Sequence, residues 1–309
     1  MTALVDVIIP VYKPGTEFKE LLQKLYTQTV KPNHIILMNT EEGYYDKFIN
    51  ETGFVPNCDI VEVFHLSKRE FDHGRTRNMG VMKSDADVFV CMTQDAIPAD
   101  DCFIEKLIAP LEDKKIAASY GRQLAREDSS IAEKITRQFN YPEDSSVKSI
   151  EDTARLGIKT YFCSNVCCAY NRQIFDELGR FVSHTNFNED MLYAAGAIKA
   201  GYKIAYASDA RVYHSHNYTA GQQFHRNVDI GISQADHPEV FGAVSSESEG
   251  KKMVLTTISA MRDAGKTGAI IPYLYMTVCK YAGFLIGKNY KKLPRSFVRM
   301  CAMNKLYLE

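Results

Sequence analysis

Residues 71–97, FDHGRTRNMGVMKSDADVFVCMTQDAI, decide how the rest of the chain is read. In the first half, His73-Gly74 followed by Arg75, Arg77 and Asn78 has the pattern of a loop running into the first turn of a helix. In the second, Asp87-Val88-Phe89-Val90-Cys91-Met92 is almost continuously apolar, as a strand covered on both faces of a parallel sheet must be. Such a strand delivers Thr93, Gln94 and Asp95 to its carboxyl end, where open α/β sheets bind ligands. A helix start bearing arginines favours phosphate, through its oriented N–H groups and its dipole. A carboxylate beside it suits a hard divalent cation such as Mg2+ or Mn2+. Two readings fit these residues: a site for a sugar-nucleotide diphosphate with its metal, and a plain surface helix followed by a strand-ending turn.

Outward from this stretch the pattern repeats. Residues 5–10, VDVIIP, form an apolar run stopped by proline, and Phe18, Leu21, Leu22 and Leu25 then recur at helical spacing. HIILMN at 34–39 reads as a second buried strand and the alternating 60–66 as a third. Phe103, Leu107, Ile108 and Leu111 mark a helix, and 116–121 a further strand. This alternation predicts a doubly wound α/β sheet. No Gly-x-Gly-x-x-Gly follows the first strand, which argues against a dinucleotide-binding version.

Residues 122–158 are polar and read as a mobile excursion over the sheet edge. YFCSNVCCAY at 161–170 reads as a strand and 174–181 as a short helix, and Glu189-Asp190 opens a longer helix. Residues 202–206 and 211–216 read as two short strands, the second placing His214 and His216 on one face. A helix is expected over 221–236.

The composition is that of a soluble globular protein, with 45% hydrophobic and 24% charged residues in 309. Eight cysteines scattered through apolar runs make no disulfide framework and point to a reducing cytosol. No signal-peptide pattern precedes Val5. The net charge of −1 hides an asymmetry: from Lys251 onward eight Lys and three Arg face one Asp and one Glu, a net +9, leaving −10 for the first 250 residues. Residues 268–287 are mostly apolar but broken by Pro272 and Lys280, and Lys288, Lys291, Lys292, Arg295 and Arg299 follow. That tail reads as an interfacial helix on an anionic membrane, as a membrane span, or as an amphipathic helix packed on the body.

Taken together, the motifs resemble the inverting glycosyltransferases of family 2, most closely their rhamnosyltransferase branch. VDVIIPVYKP resembles the family's opening strand, FDHGRTRN with TQDAIP its nucleotide and metal motifs, and NEDM its Glu-Asp catalytic pair. VYHSHNYTAGQQFHR resembles the metal-binding histidine and the helix after it. The resemblance covers residues 5–236 and, more weakly, the tail. It implies a GT-A (Rossmann-like) doubly wound mixed sheet, with a glycosyltransferase domain over 1–240 and a basic, amphipathic helical C-terminal extension over 251–309.

By that resemblance Asp190 is the base that deprotonates the acceptor, and Glu189 orients acceptor or base. Asp95 binds the Mg2+ or Mn2+ together with His214 or His216. Pro10, Tyr12, Asn39, His73, Arg77, Asn78, Gln94, Gln223 and Arg226 line the nucleotide-sugar site. Three positions depart from the pattern. Asn227 stands where tryptophan is usual, arguing against a processive synthase; Gln94-Asp95 replaces a double aspartate; and Asn39 replaces an aspartate that often holds the uracil ring.

The expected function is transfer of a sugar, L-rhamnose from dTDP-rhamnose, to a cell-surface polysaccharide or lipid-linked glycan, in the cytoplasm or at the inner face of the cell membrane. The rival readings are a nucleotidyltransferase and a non-catalytic scaffold of a membrane complex. VYKPG is a poor version of the nucleotidyltransferase glycine loop. The acidic body and the lack of a recognisable module argue against nucleic acid.

Overall fold

A computed structural model describes residues 4–242 and 247–308. Its residues group into two compact units. The first comprises Met1–Leu124, Tyr141–His184 and Glu189–His214; the second comprises Ala125–Asn140, Thr185–Asn188 and Ser215–Glu309.

The first unit is built on a nine-stranded mixed sheet. Its strands are β1 (Val5–Tyr12), β2 (Ile35–Thr40), β3 (Val61–Leu66), β4 (Val88–Met92), β5 (Ile97–Pro98), β6 (Ile116–Leu124), β7 (Ser146–Lys148), β8 (Cys167–Asn171) and β9 (Lys203–Tyr213). They lie in the order β3-β2-β1-β4-β8-β6-β9-β5, with β7 beside β9. β3, β2, β1 and β4 are parallel. β8 inserts antiparallel between β4 and β6, and β6 runs parallel to β9. Every residue of β2 and β4 is buried; β4 is apolar throughout, and β2 is apolar up to the buried Asn39 and Thr40 at its carboxyl end.

The strand order reverses between β1 and β4, so the carboxyl ends of these two strands form the switch point where such sheets open a crevice. Gln94 clips the two ends together. Its amide nitrogen donates to the Tyr12 carbonyl and its amide oxygen accepts from the Tyr12 N–H, both at 2.9 Å. One face of the sheet packs on the Thr16–Tyr26 helix through Phe18, Leu21, Leu22 and Leu25. Elsewhere in this unit Phe89 stacks on Tyr170 (centroids 5.1 Å), and Phe175, Phe181 and Tyr193 close an aromatic cluster around them.

Several elements differ from expectation. The two short strands expected over 202–216 are one strand, β9, whose pairing with β6 shifts register between Ala207 and Arg211. A bulge of this kind breaks the alternation that a sequence pattern relies on. The strand ends at Tyr213, so His214 and His216 lie beyond it, although the His214 N–H still donates to the Leu124 carbonyl at 2.9 Å. The stretch 161–170 becomes strand only from Cys167, leaving Ser164 and Asn165 in a loop. The polar excursion is structured: it holds the Ile131–Asn140 helix, β7 and a Ser149–Asp152 capping box. All eight cysteines are free, with Cys163 and Cys168 sulfurs 3.4 Å apart.

The second unit is helical. Val228 and Ile232 of the Ala220–Asp236 helix pack with Val298, Cys301, Ala302 and Leu308. Asp229, fully buried, accepts from the Met303 and Asn304 N–H groups at 3.2 and 2.8 Å and fastens the C-terminal segment to that helix.

Candidate active site

The His73–Val81 helix begins as the sequence suggests, but its amides are capped from within. The Asp72 carboxylate accepts from the N–H groups of Gly74 (3.0 Å) and Arg75 (2.7 Å). The start expected to offer N–H groups to phosphate is therefore satisfied by a side chain, as helix N-termini commonly are. Gly74 is required here: a Cβ would come within 1.9 Å of the Val182 carbonyl oxygen.

One turn on, Arg77 points inward. Its guanidinium is buried, donates to the His73 carbonyl (2.9 Å) and lies 3.0 Å from a Glu189 carboxylate oxygen. Asn78 reaches the Phe181 backbone in both directions, donating to its carbonyl at 2.9 Å and accepting from its N–H at 3.2 Å. The side chains of Arg77, Asn78 and Gln94 thus have protein partners that hold the site's framework.

Glu189 and Asp190 stand in the first turn of the Glu189–Lys199 helix, and Asn165 gathers both. Its side-chain amide donates to Glu189 (3.0 Å), its backbone N–H donates to Asp190 (2.9 Å), and its side-chain oxygen accepts from the Tyr170 hydroxyl (2.7 Å). The second Asp190 oxygen accepts from the Met191 N–H at 2.8 Å.

Identical chemistry in two surroundings gives two different acids. Burial works against ionisation of Glu189, but Arg77 beside it, with His73 and the Asn165 amide, outweighs burial and holds it below the ordinary glutamate value. Burial, and then the Glu189 charge, push the Asp190 carboxyl up to about 7, against the pull of its two backbone donors and Arg77. One carboxylate is fixed as an anion, while its neighbour can take and release a proton near neutral pH. That division is what acid–base chemistry asks of a pair.

Asp95 lies in the turn after β4, and an imidazole nitrogen of His214 (Nε2) is 3.6 Å from one of its oxygens. The other ring nitrogen, Nδ1, faces the Gln123 side-chain oxygen at 2.9 Å. Gln123 is oriented in turn: its amide nitrogen donates to Ser164 (2.9 Å) and to the Tyr141 hydroxyl. An amide oxygen only accepts, so Nδ1 carries the proton and Nε2 presents its lone pair toward Asp95. A carboxylate and an imidazole lone pair facing each other, with the ring fixed from behind, are a donor set that fits a divalent cation.

At the end of β2 the Asn39 amide nitrogen is 2.9 Å from His65 Nδ1, and Asn39 is fully buried. Pro10 lies within β1, and Tyr12, at its end, is exposed and meets Tyr44 edge-to-face (5.5 Å), with Lys13 over both rings. In the second unit, His216 stacks on Tyr218 (4.7 Å), and the Arg226 guanidinium lies over the Phe187 ring (4.8 Å). Gln223 occupies the first turn of the helix that carries Arg226.

Sequence reasoning missed Asn165, Tyr170, Gln123 and Asp72. Asn165 sits in a run read as strand and Gln123 in the polar stretch read as an excursion, although β6 extends through it to Leu124, and neither carries a spacing signal. Asp72 was legible as a helix cap, being an aspartate immediately before a helix start.

Residues 6–179 match the family model for glycosyl transferase family 2. Over 307 residues the chain is 38% identical to the O-antigen chain rhamnosyltransferase RfbN of Salmonella typhimurium, covering 98% of this chain and 95% of that one. It is 35% identical over 305 residues to the O-antigen chain rhamnosyltransferase WbaN of Salmonella anatum, covering 97% and 94%. Among solved structures it is similar to a mannosyltransferase of Pyrobaculum calidifontis in complex with GDP-Man and Mn2+, with a TM-score of 0.60 and 13% identity over 93% of this chain and 87% of that one. It is also similar to residues 1–349 of S. aureus TarS in complex with UDP-GlcNAc, with a TM-score of 0.52 and 13% identity over 94% and 92%. The fold is GT-A, as the motifs implied. Family match and near-full-length relatives agree with the motif pattern, and the chain is a glycosyltransferase belonging to family 2, in its rhamnosyltransferase-like branch.

Proposed function

We propose that this chain transfers L-rhamnose, with inversion, from dTDP-rhamnose to a growing O-antigen or other lipid-linked glycan at the inner face of the cell membrane. The observation that carries the reading is 38% identity to an O-antigen chain rhamnosyltransferase over 98% of the chain. The Asn165–Glu189–Asp190 geometry supplies the chemistry.

Asp190 takes the proton of the acceptor hydroxyl as that oxygen attacks the anomeric carbon. The bond from this carbon to the nucleoside diphosphate breaks on the opposite side, so one displacement inverts the centre. Glu189 stays ionised through Arg77 and keeps the Asp190 carboxyl basic. Asn165 fixes both carboxylates and thereby the direction of proton transfer. Asp95 and His214 would hold Mg2+ or Mn2+, which supplies positive charge to the departing diphosphate. Gln123 keeps the His214 ring turned for that role. Asn39, Tyr12 and Pro10 border the nucleoside at the ends of β2 and β1.

The test is transfer by purified protein from a panel of nucleotide-sugars, with Mg2+ or Mn2+, to a lipid-linked glycan, read by mass spectrometry. Rhamnose addition from dTDP-rhamnose with inverted anomeric configuration is the expected product. Preference for another sugar keeps the enzyme class and removes the donor assignment. Donor binding without transfer to any acceptor would favour a scaffold.

A further inference from the structure

The Ile270–Lys288 helix of the second unit has two unlike sides. On one, its backbone presses against the Ala220–Asp236 helix. A Cβ at Gly283 would come within 2.3 Å of the Phe224 carbonyl oxygen, and one at Gly287 within 2.0 Å of the Val228 oxygen. Gly231 answers from the other helix, where a Cβ would come within 2.4 Å of the Phe284 oxygen. On the other side, Ile271, Leu274, Tyr275, Val278, Tyr281 and Leu285 are 39–79% exposed. At 100° per residue these six fall within an arc of about 120°, turned away from Gly283 and Gly287. This is a continuous apolar stripe, not scattered exposure.

The helix is long and apolar enough to cross a membrane. Its packing against a polar helix argues against that. The Ala220–Asp236 helix lies along it from Phe224 to Gly231 with backbones in contact, and carries Gln222, Gln223, His225, Arg226 and Asp229. Spanning the bilayer would take this polar helix into hydrocarbon. Lys280, on the glycine side, is in the field of Glu133, Arg137 and Arg226 and would be drawn in with it. A helix lying in the plane of the surface avoids both costs. Lys288 ends the helix, and Lys291, Lys292, Arg295 and Arg299 follow it within a tail of net +9; of these Lys291 pairs with Asp236 at 2.9 Å and Arg295 donates to the Leu308 carbonyl at 2.7 Å.

We propose that this stripe lies flat on an anionic phospholipid bilayer, with the six apolar side chains in the headgroup–acyl boundary and Lys288 and Lys292 among the headgroups. The inference deepens the proposed transfer to a lipid-linked glycan and rests on that reading for its biological sense. The surface itself is defined by Val278 and its neighbours. The glycines keep the helix in plane by tying it to a polar partner.

The experiment is flotation of the full chain with vesicles of phosphatidylglycerol and phosphatidylethanolamine, against vesicles of phosphatidylcholine, at low and high salt. The comparison protein carries Tyr275→Asp and Val278→Asp, two exposed positions, with circular dichroism as the check on folding. Wild type should float with the anionic vesicles, less in high salt and less with phosphatidylcholine, and the double variant should bind roughly tenfold more weakly or worse. Equal flotation of variant and wild type, or equal binding to both vesicle types, would overturn the proposal. So would a wild type that ignores vesicles but forms a dimer that the double variant loses, which would assign the stripe to a second copy of the chain. Donor hydrolysis in solution, measured on both proteins, reports on the glycosyltransfer separately: its absence speaks against that function and leaves the vesicle result standing.

Discussion

Arg77 and Glu189 face each other 3.0 Å apart with both side chains buried, and the pair sets the charge of the site. Breaking a buried pair from one side leaves the partner's charge without compensation, which typically costs about 3–5 kcal/mol. Arg77→Met should destabilise the protein by that amount in urea unfolding at neutral pH. Adding Glu189→Gln should recover part of the loss, because the stranded charge is removed. Strictly additive effects would show that the two are not coupled. Glu189 sits below its ordinary pKa, so the pair's stabilisation is present at neutral pH and is lost as pH falls through that lowered value.

Asp190 carries the opposite shift, and its sign gives two readouts. Its carboxyl is pushed up to about 7 by burial and by Glu189. As a base it works ionised, so kcat/KM should climb as pH rises toward about 7 and level off above it. The limb belongs to the coupled pair, not to one residue alone. Asp190→Asn should reduce transfer by at least about a hundredfold and leave nucleotide-sugar affinity near normal. The folded state holds this proton more tightly than the unfolded one, so wild type loses stability as pH rises from about 4 to about 7. Asp190→Asn should lack that loss and gain on wild type across the same window. A rate unchanged in Asp190→Asn would pass the role of base to Glu189.

The metal assignment separates donors from the residue that orients them. Asp95→Ala should abolish metal-dependent binding of the nucleotide-sugar, and His214→Ala should weaken Mn2+ affinity more than His216→Ala. Gln123 would never touch the ion, yet Gln123→Ala should lower Mn2+ affinity about 10–100-fold by releasing the ring. Calorimetry with Mn2+ and with nucleotide-sugar distinguishes these cases. Full affinity in Gln123→Ala would mean that the ring is held without it.

How much of this was legible follows from the range of each interaction. β1, β2 and β4 were readable because burial on both faces writes itself into consecutive residues, and Glu189-Asp190 was singled out as an adjacent pair that resembles the family's motif. The single strand β9 was not readable, because its bulge interrupts the pattern at Ser208 to Ala210. Asn165 was invisible because its work is non-local: it joins residues 24 and 25 positions away through one side-chain amide and one backbone N–H. Arg77 was assigned to the donor by resemblance. Its pairing with Glu189, more than a hundred residues away, was not legible, and cationic residues aimed at a ligand or at a buried carboxylate look alike in sequence.

In the helix pair of the second unit glycine is used for closeness. Gly287 lets the Ile270–Lys288 helix approach until a Cβ there would lie 2.0 Å from the Val228 carbonyl oxygen, 2.8 Å from the Ile232 nitrogen and 2.9 Å from the Gly231 Cα. All three are backbone atoms, so no side chain can swing aside and the helices must separate. Gly287→Ala should therefore cost about 1–3 kcal/mol, although alanine is the better helix former. Gly196, inside the Glu189–Lys199 helix, has nothing within 4 Å of its would-be Cβ. Gly196→Ala should be neutral or stabilise by up to about 1 kcal/mol, since only the helix propensity changes. Chemical denaturation of the two variants beside wild type should give opposite signs. A stabilising Gly287→Ala would mean that the two helices do not touch through their backbones, and the argument for an in-plane helix would lose its anchor.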